Sequence, residues 1–489
     1  MGGEAVLVLD AGTSALRGVL VEATGATRTL GAAPWRMLTP EDAAPFGREL
    51  DGAEVGAQAD RLITEAAGAG ARIAAVACTG QREGLVFADE ALGAVLISPN
   101  VDARASAEGM RIDAARAAEA YRTTGHLPSL MQAPAKLAWL RANRPADAAR
   151  VRWVLPLADW IAARLSGAPM MSRTLAVENG LADVASGEVA GAWLSSLGVA
   201  RELVPTAAAD GAAVGETRGG PLAGVPVVLA GADTQCALIG MGAVSPGACG
   251  VPCGWSAPAQ LVLDAPLVDG EMRTWTGMHA ISGAWVLESN AGETGRAWAW
   301  LCETLGVSPE EACALAATSP AGARDTAIVL TARRMAAARM NAGLGALTVP
   351  LPIVMSAPSR GDVLRSALEA TACAVRANIE QLECVSGRQI ETVRAGGGMT
   401  RAPLFVRILA DVLDRPVEVA RAPETTALGA AALASVAVGL HGTTEAGINT
   451  MTAPRTRLTP DAAASAAYED VYARWCALAD ACERLATEA

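Results

Sequence analysis

Lysine is nearly absent from this chain: Lys136 is the only one among 39 basic residues. No Gly-Lys-Ser/Thr tripeptide exists, which excludes a phosphate loop of that type. Only three histidines occur (His126, His279 and His441), far apart in sequence, so zinc chemistry and a Ser-His-Asp triad are poor expectations. Aromatic residues make up 3% of the chain, whereas hydrophobic residues reach 52%, much of it alanine. Small side chains of that kind suit closely packed helix–sheet layers. The longest apolar run, Ala427–Leu440, is too short and too rich in Ala and Gly to span a bilayer, which needs about 20 apolar residues. The opening text, MGGEAVLVLDAG, shows no basic region followed by a long apolar one, so no secretory signal is expected. No long block of one charge sign appears, and the net charge of −12 disfavours nucleic acid and anionic lipid as partners. Ten scattered cysteines without a signal peptide read as reduced thiols and a cytoplasmic setting.

A chain of 489 residues exceeds one ordinary core and suggests two or three domains. Its organising stretch is Val225–Gly242, VPVVLAGADTQCALIGMG. Val225–Ala230, with three valines, suits a strand buried on both faces, and Thr234–Met241 suits a helix. Asp233 stands between them, where open α/β sheets bind ligands. It is a candidate catalytic carboxylate; the alternative is an N-cap for the helix.

Val6–Asp10 and Arg17–Val21 read as a hairpin with Ala11-Gly12-Thr13-Ser14 at its tip. Such a tip offers N–H groups and hydroxyls to an anion, and Asp10 can hold Mg²⁺ through a water shell. An ordinary hairpin with a polar tip is the alternative. Ile73–Thr79 is a buried strand leading into Gly80-Gln81-Arg82-Glu83-Gly84. Adjacent Arg82 and Glu83 are costly to bury unless paired or bound to a ligand such as a neutral polyol; a surface ion pair is the plainer reading. Ala105–Leu165 reads as helical, Leu175–Gly191 as loop-rich, and Leu203–Gly224 as an irregular connector. Gly242–Gly247 marks a boundary, giving domains of residues 1–244 and 245–489. Beyond it the opening plan recurs: Ala248–Cys253, a turn at Gly254-Trp255-Ser256, and Ala259–Leu263, which suggests an internal duplication. Ile390–Ala395 then runs into Gly396-Gly397-Gly398, where a ring or phosphate can approach the backbone without meeting a Cβ.

The motifs DAGTSALR at Asp10–Arg17, GADTQ at Gly231–Gln235, GGGMTRAPLFVRILADVLDRPVEV at Gly396–Val419 and ETTALGAA at Glu424–Ala431 occur in one order along the chain. In that order and spacing the chain resembles the FGGY carbohydrate kinase family over essentially its whole length. QREG at Gln81–Gly84 is similar to the glycerol- and autoinducer-2-kinase branches. NVDARA at Asn100–Ala105, YRTTG at Tyr121–Gly125 and the tail at Arg457–Pro460 look most like the autoinducer-2 branch.

The resemblance implies an α/β fold of two actin-like (ribonuclease H-like) domains facing across a cleft. It implies a phosphotransferase that moves phosphate from ATP, with Mg²⁺, to a primary hydroxyl. The acceptor would be a small linear sugar, polyol or autoinducer-2-like five-carbon molecule. Carried over residue by residue, Asp10 would position the metal, and Gly12, Thr13, Ser14 and Arg17 would face the phosphates. Gly254 and Ser256 would form the second phosphate loop, Gly295 would lie near the nucleotide, and Gly397, Gly398 and Met399 would hold its adenosine end. Arg82, Glu83 and Asp233 would contact the acceptor, with Asp233 as general base. A carboxylate near its unperturbed pKa of about 3.9 is adequate if the proton leaves late. Trp255 departs from the Gly-Thr-Ser loop of many relatives, which keeps in view a non-catalytic actin-like nucleotide- or sugar-binding protein; a second rival is an ATPase of the same superfold that drives conformational change. Oligomeric state is not legible, a homodimer being one option.

Overall fold

The computed structural model describes residues 3–338, 343–420, 422–452 and 455–488. Two mixed sheets dominate it. The first orders its strands Ala212–Glu216, Pro226–Ala232, Arg72–Gly80, Glu4–Ala11, Ala15–Glu22 and Thr27–Pro34. Its centre is parallel (Pro226–Ala232, Arg72–Gly80 and Glu4–Ala11), and the hairpin Glu4–Ala11/Ala15–Glu22 extends it antiparallel. The second sheet repeats this plan. Cys249–Pro252 pairs antiparallel with Pro258–Leu263 and parallel with Val393–Gly396, which pairs parallel with Val417–Ala420. The expected duplication is therefore visible as topology.

Parallel strands buried on both faces read as near-continuous apolar runs, and Glu4–Ala11 is buried from Ala5 onward. Side chains of one face (Leu7, Leu9) join the large N-terminal core, while Val6 and Val8 meet the helix Thr425–Ala437. That helix also crosses Asp233–Gly240 at very short range. A Cβ on Gly429 would lie 1.9 Å from the carbonyl oxygen of Cys236, and one on Gly240 1.9 Å from that of Thr425. Small residues thus let a helix of the second half seat directly on the helix that begins at Asp233.

Three stretches depart from the sequence reading. The helical text Ala105–Leu165 contains a strand, Trp153–Pro156, which pairs antiparallel with Leu85–Ala88 because its four residues meet an apolar edge left open there. The connector Leu203–Gly224 supplies Ala212–Glu216, an edge strand antiparallel to Pro226–Ala232. Leu175–Gly191 begins inside a short helix, Arg173–Glu178. Among the described residues no helix is long and apolar enough to cross a membrane.

Candidate active site

Every parallel strand of the two main sheets points its carboxyl end into one cleft of about 650 Å³. Register aligns those ends: Asp10 lies opposite Thr79, and Ala11 and Ala232 both lie opposite Gly80. The residues that follow, Arg82, Glu83 and Asp233, are thereby carried to one wall with Asp10. The ends of the second sheet deliver Gly254, Trp255, Ser256, Gly397, Gly398 and Pro423–Ala427 to the opposite wall.

The first polar turn is braced from behind. Trp35 Nε1 donates to the Gly12 carbonyl oxygen at 2.7 Å, Gln81 Nε2 donates to the same oxygen at 3.2 Å, and Asn100 Nδ2 donates to Thr13 Oγ1 at 2.9 Å. Gly12, Thr13, Ser14 and Arg17 all line the cleft. Arg17 donates to Asp10 Oδ2, and Glu424 lies 3.8 Å from the same guanidinium, an ion-pair distance. Asp10 Oδ1 is buried without a partner.

The Gly396–Gly398 turn needs its glycines. Gly397 has φ of +92°, and a Cβ there would come 2.7 Å from the Cys253 carbonyl oxygen. The two loops of the second half are stitched together: Cys253 N–H donates to the Gly396 carbonyl oxygen at 2.7 Å, and Met399 N–H donates to that of Cys253 at 3.1 Å. Gly254, Ser256, Gly397 and Gly398 line the cleft; Gly295 and Met399 do not. Gly295 lies beneath the Trp255 loop, donating its N–H to the Trp255 carbonyl oxygen at 3.0 Å, while Met399 packs against the C-terminal core.

Asp233 is the first residue of its helix rather than its cap, and its Oδ1 accepts from Thr234 N–H at 2.7 Å. Burial, then the neighbouring charge of Asp10, pushes its carboxyl up to about 7, against the partial relief of Arg82, Thr234 N–H and Arg17. This differs from the ordinary carboxylate of the sequence reading, because residue text carries no information about burial.

Arg82 and Glu83 also differ from their expected arrangement. Arg82 does not pair with its neighbour; it donates a two-pronged pair of hydrogen bonds to Glu288, at 2.7 and 3.0 Å, and lies 3.5 Å from Glu178. Its guanidinium sits 5.5 Å above the Trp275 ring. Burial pushes Glu83 up, against Arg82, and Lys136 Nζ donates to the Glu83 carbonyl oxygen at 2.9 Å. Behind Arg82 runs a buried network that sequence reasoning missed. Glu178 accepts from Gln235 Nε2 at 2.8 Å and lies 3.0 Å from His126 Nε2, while Gln260 Nε2 donates to Glu288 at 2.8 Å. Burial pushes Glu178 up, but the His126 and Arg82 charges outweigh it and hold it at about 2. The one available signal was a glutamate inside an apolar strand, Trp285–Asn290.

The N-terminal model of the FGGY family of carbohydrate kinases matches residues 5–240, and its C-terminal model matches 257–438. Autoinducer-2 kinase of Klebsiella pneumoniae is 28% identical over 503 residues, covering 96% of this chain and 92% of its own. Autoinducer-2 kinase of Escherichia coli K12 is 28% identical over 500 residues, covering 96% and 93%. Among solved structures, gluconate kinase from Lactobacillus acidophilus superposes with a TM-score of 0.85 at 18% identity, covering 98% of both chains. Plasmodium falciparum glycerol kinase with ADP gives 0.83 at 16% identity, covering 97% of both. None of these four is a non-catalytic binding protein.

Proposed function

Because the chain belongs to the FGGY family of carbohydrate kinases and so phosphorylates a sugar with ATP, we propose that it transfers phosphate to a primary hydroxyl of a small linear polyol, ketose or autoinducer-2-like five-carbon acceptor. The observation that carries this reading is the facing of Asp233, Arg82 and Asp10 against glycine-rich turns across a single cleft. The autoinducer-2 kinase relatives favour the linear five-carbon class among neutral acceptors. We propose the domain boundary at 244/245, which falls in the gap between the two model matches.

Phosphoryl transfer passes through a loose transition state, so the protein contributes positioning and charge stabilisation. Backbone N–H groups at Gly12–Ser14 and at Trp255 and Ser256, with Arg17, face the phosphates, the Gly254 N–H being spent on the Ser256 carbonyl oxygen within its own turn. Gly397 and Gly398 admit the adenosine end. Asp233 accepts the acceptor's hydroxyl proton, and its raised pKa makes it a stronger base near neutrality than an exposed aspartate. Asp10 fits a divalent cation through its unpartnered Oδ1. No cluster of three or more His, Cys, Asp or Glu side chains suited to a metal occurs among the described residues, which suits Mg²⁺, an ion that keeps most of its waters. When bound with ATP, Mg²⁺ supplies charge neutralisation on the phosphates. All ten cysteines are free, in keeping with a reducing, cytoplasmic setting.

A coupled ADP assay with ATP and Mg²⁺ across glycerol, erythritol, pentuloses, gluconate and the linear dihydroxypentanedione tests the reading. ADP release that depends on one of the linear neutral acceptors is expected. Release independent of every acceptor, or none at all, sinks it.

A further inference from the structure

Two cleft-lining arginines act on Asp233, Arg82 and Arg17, and both charges are already taken: Arg17 pairs with Asp10, and Arg82 with a deeper pair of glutamates. Glu288 meets Arg82 with both carboxylate oxygens, and those oxygens also accept from Gln260 Nε2 at 2.8 Å and Asn290 Nδ2 at 3.3 Å. Glu178 adds a second carboxylate at 3.5 Å. Both glutamates are at most 3% exposed at the side chain, and Arg82 is 12% exposed. A fork-to-fork pair of this kind is geometrically specific and strong when sheltered from water. Glu288 cannot easily withdraw. Its strand, Trp285–Asn290, and the adjacent strand Trp275–Met278 are anchored on the first half: Trp285 Nε1 donates to the Val184 carbonyl oxygen at 2.8 Å and Trp275 Nε1 to that of Leu127 at 2.6 Å. The guanidinium therefore presents donors at its open edge without an unbalanced positive charge.

Resting on the kinase reading above, we infer that Glu288 makes the acceptor subsite a charge filter: by neutralising Arg82 it admits uncharged polyhydroxylated acceptors and rejects those bearing a carboxylate. A polyol needs only hydrogen bonds from Arg82 and to Asp233. A sugar acid placed there brings its carboxylate toward Glu288, Glu178 and Asp233 while Arg82 and Arg17 are both already paired, and like charges brought together in this way are strongly disfavoured. Glu288 touches no reacting atom; it is a positioning residue acting through Arg82.

The test uses the full chain and matched pairs of a neutral linear polyol or ketose and the aldonate of the same carbon count. Wild type and Glu288→Gln are compared in the coupled ADP assay, and the same acceptors are titrated by calorimetry without ATP. Wild type is expected to prefer the neutral member in kcat/KM by on the order of a hundredfold. Glu288→Gln keeps the shape and removes the two-pronged carboxylate, leaving Arg82 only the more distant Glu178 at 3.5 Å; it is expected to narrow that ratio by at least roughly tenfold, through a lower KM for the aldonate rather than a higher kcat. Equal use or equal binding of both members by wild type overturns the filter, as does an unchanged ratio in folded Glu288→Gln. Where circular dichroism shows that Glu288→Gln has not folded, the wild-type calorimetric ratio decides alone. Absence of ADP with every acceptor sinks the kinase reading and leaves the calorimetric ratio to judge the filter; failure of every neutral acceptor to bind overturns the filter itself.

Discussion

Replacing Asp233 with asparagine is expected to abolish turnover and, at alkaline pH, to make the unliganded protein more stable. The two effects share one cause. Burial and the Asp10 charge raise the carboxyl from its ordinary 3.8 to about 7, equivalent to about 4 kcal/mol of disfavour for the ionised form. Asp233 lines an open, solvated cleft, so about 1–2 kcal/mol is the expected share after screening. The sign follows from linkage: an acid whose folded pKa is raised binds more protons folded than unfolded. Its contribution is most favourable below pH 3.8 and is lost as pH rises through about 7. Asp233→Asn removes that penalty, so its stability gain over wild type should be present in full at pH 8 and be largely gone only near pH 3.5, below the ordinary value of 3.8. Chemical denaturation at both pH values reads the gap, and the ADP assay reads the turnover. Loss of a general base costs on the order of a hundredfold to ten-thousandfold in rate, and wild-type activity should fall as pH drops below about 7. Asp233→Asn with near-wild-type turnover refutes the base assignment. A variant less stable than wild type at pH 8, or a gap that ignores pH, refutes the electrostatic reasoning.

Glu178→Gln leaves His126 facing a neutral amide and is expected to cost about 3 kcal/mol in denaturant unfolding. The Glu178 contribution should be complete above its ordinary 4.5 and lost as pH falls toward 2, so a stability deficit that is equal at pH 7 and pH 2 contradicts it. Gly397→Ala forces a side chain into φ of +92° and against the Cys253 carbonyl; we expect about 1–3 kcal/mol of destabilisation and weaker ATP binding by calorimetry, with unchanged values of both refuting the close-approach role.

The elements that could be read from the chain were those in which a local rule and the tertiary answer coincide. The apolar strand Pro226–Ala232 and the hairpins at Gly12 and Gly254 announce themselves within a few residues. Asp10, Asp233 and Gly397 follow from these because each sits at the end of such an element. Glu288 does not: its partner Arg82 is 206 residues away, and nothing near Trp285–Asn290 states which cation the glutamate will meet. Glu178 and His126 are hidden for the same reason, since a buried charge network is specified by which elements converge. Trp153–Pro156 was masked by the helical text around it, and only the open edge of Leu85–Ala88 makes it a strand.

The duplicated topology also explains why the two walls differ in chemistry. Both sheets end a hairpin strand and two crossover strands at the cleft, yet the first half places carboxylates and an arginine there, and the second places mainly glycine turns. Charges at strand ends are tolerable in the first half because each has a partner: Arg17 across its own hairpin for Asp10, Glu288 from the second half for Arg82, and the following Thr234 N–H for Asp233. Glycine turns in the second half leave backbone N–H groups and space, which is what a polyphosphate and a flat ring require. The Glu288 carboxylate is the exception that crosses over, a charge from the second half completing the first. Its presence ties acceptor recognition to the closeness of the two halves, because Glu288 reaches Arg82 only while Trp285–Asn290 stays docked on the first half through Val184.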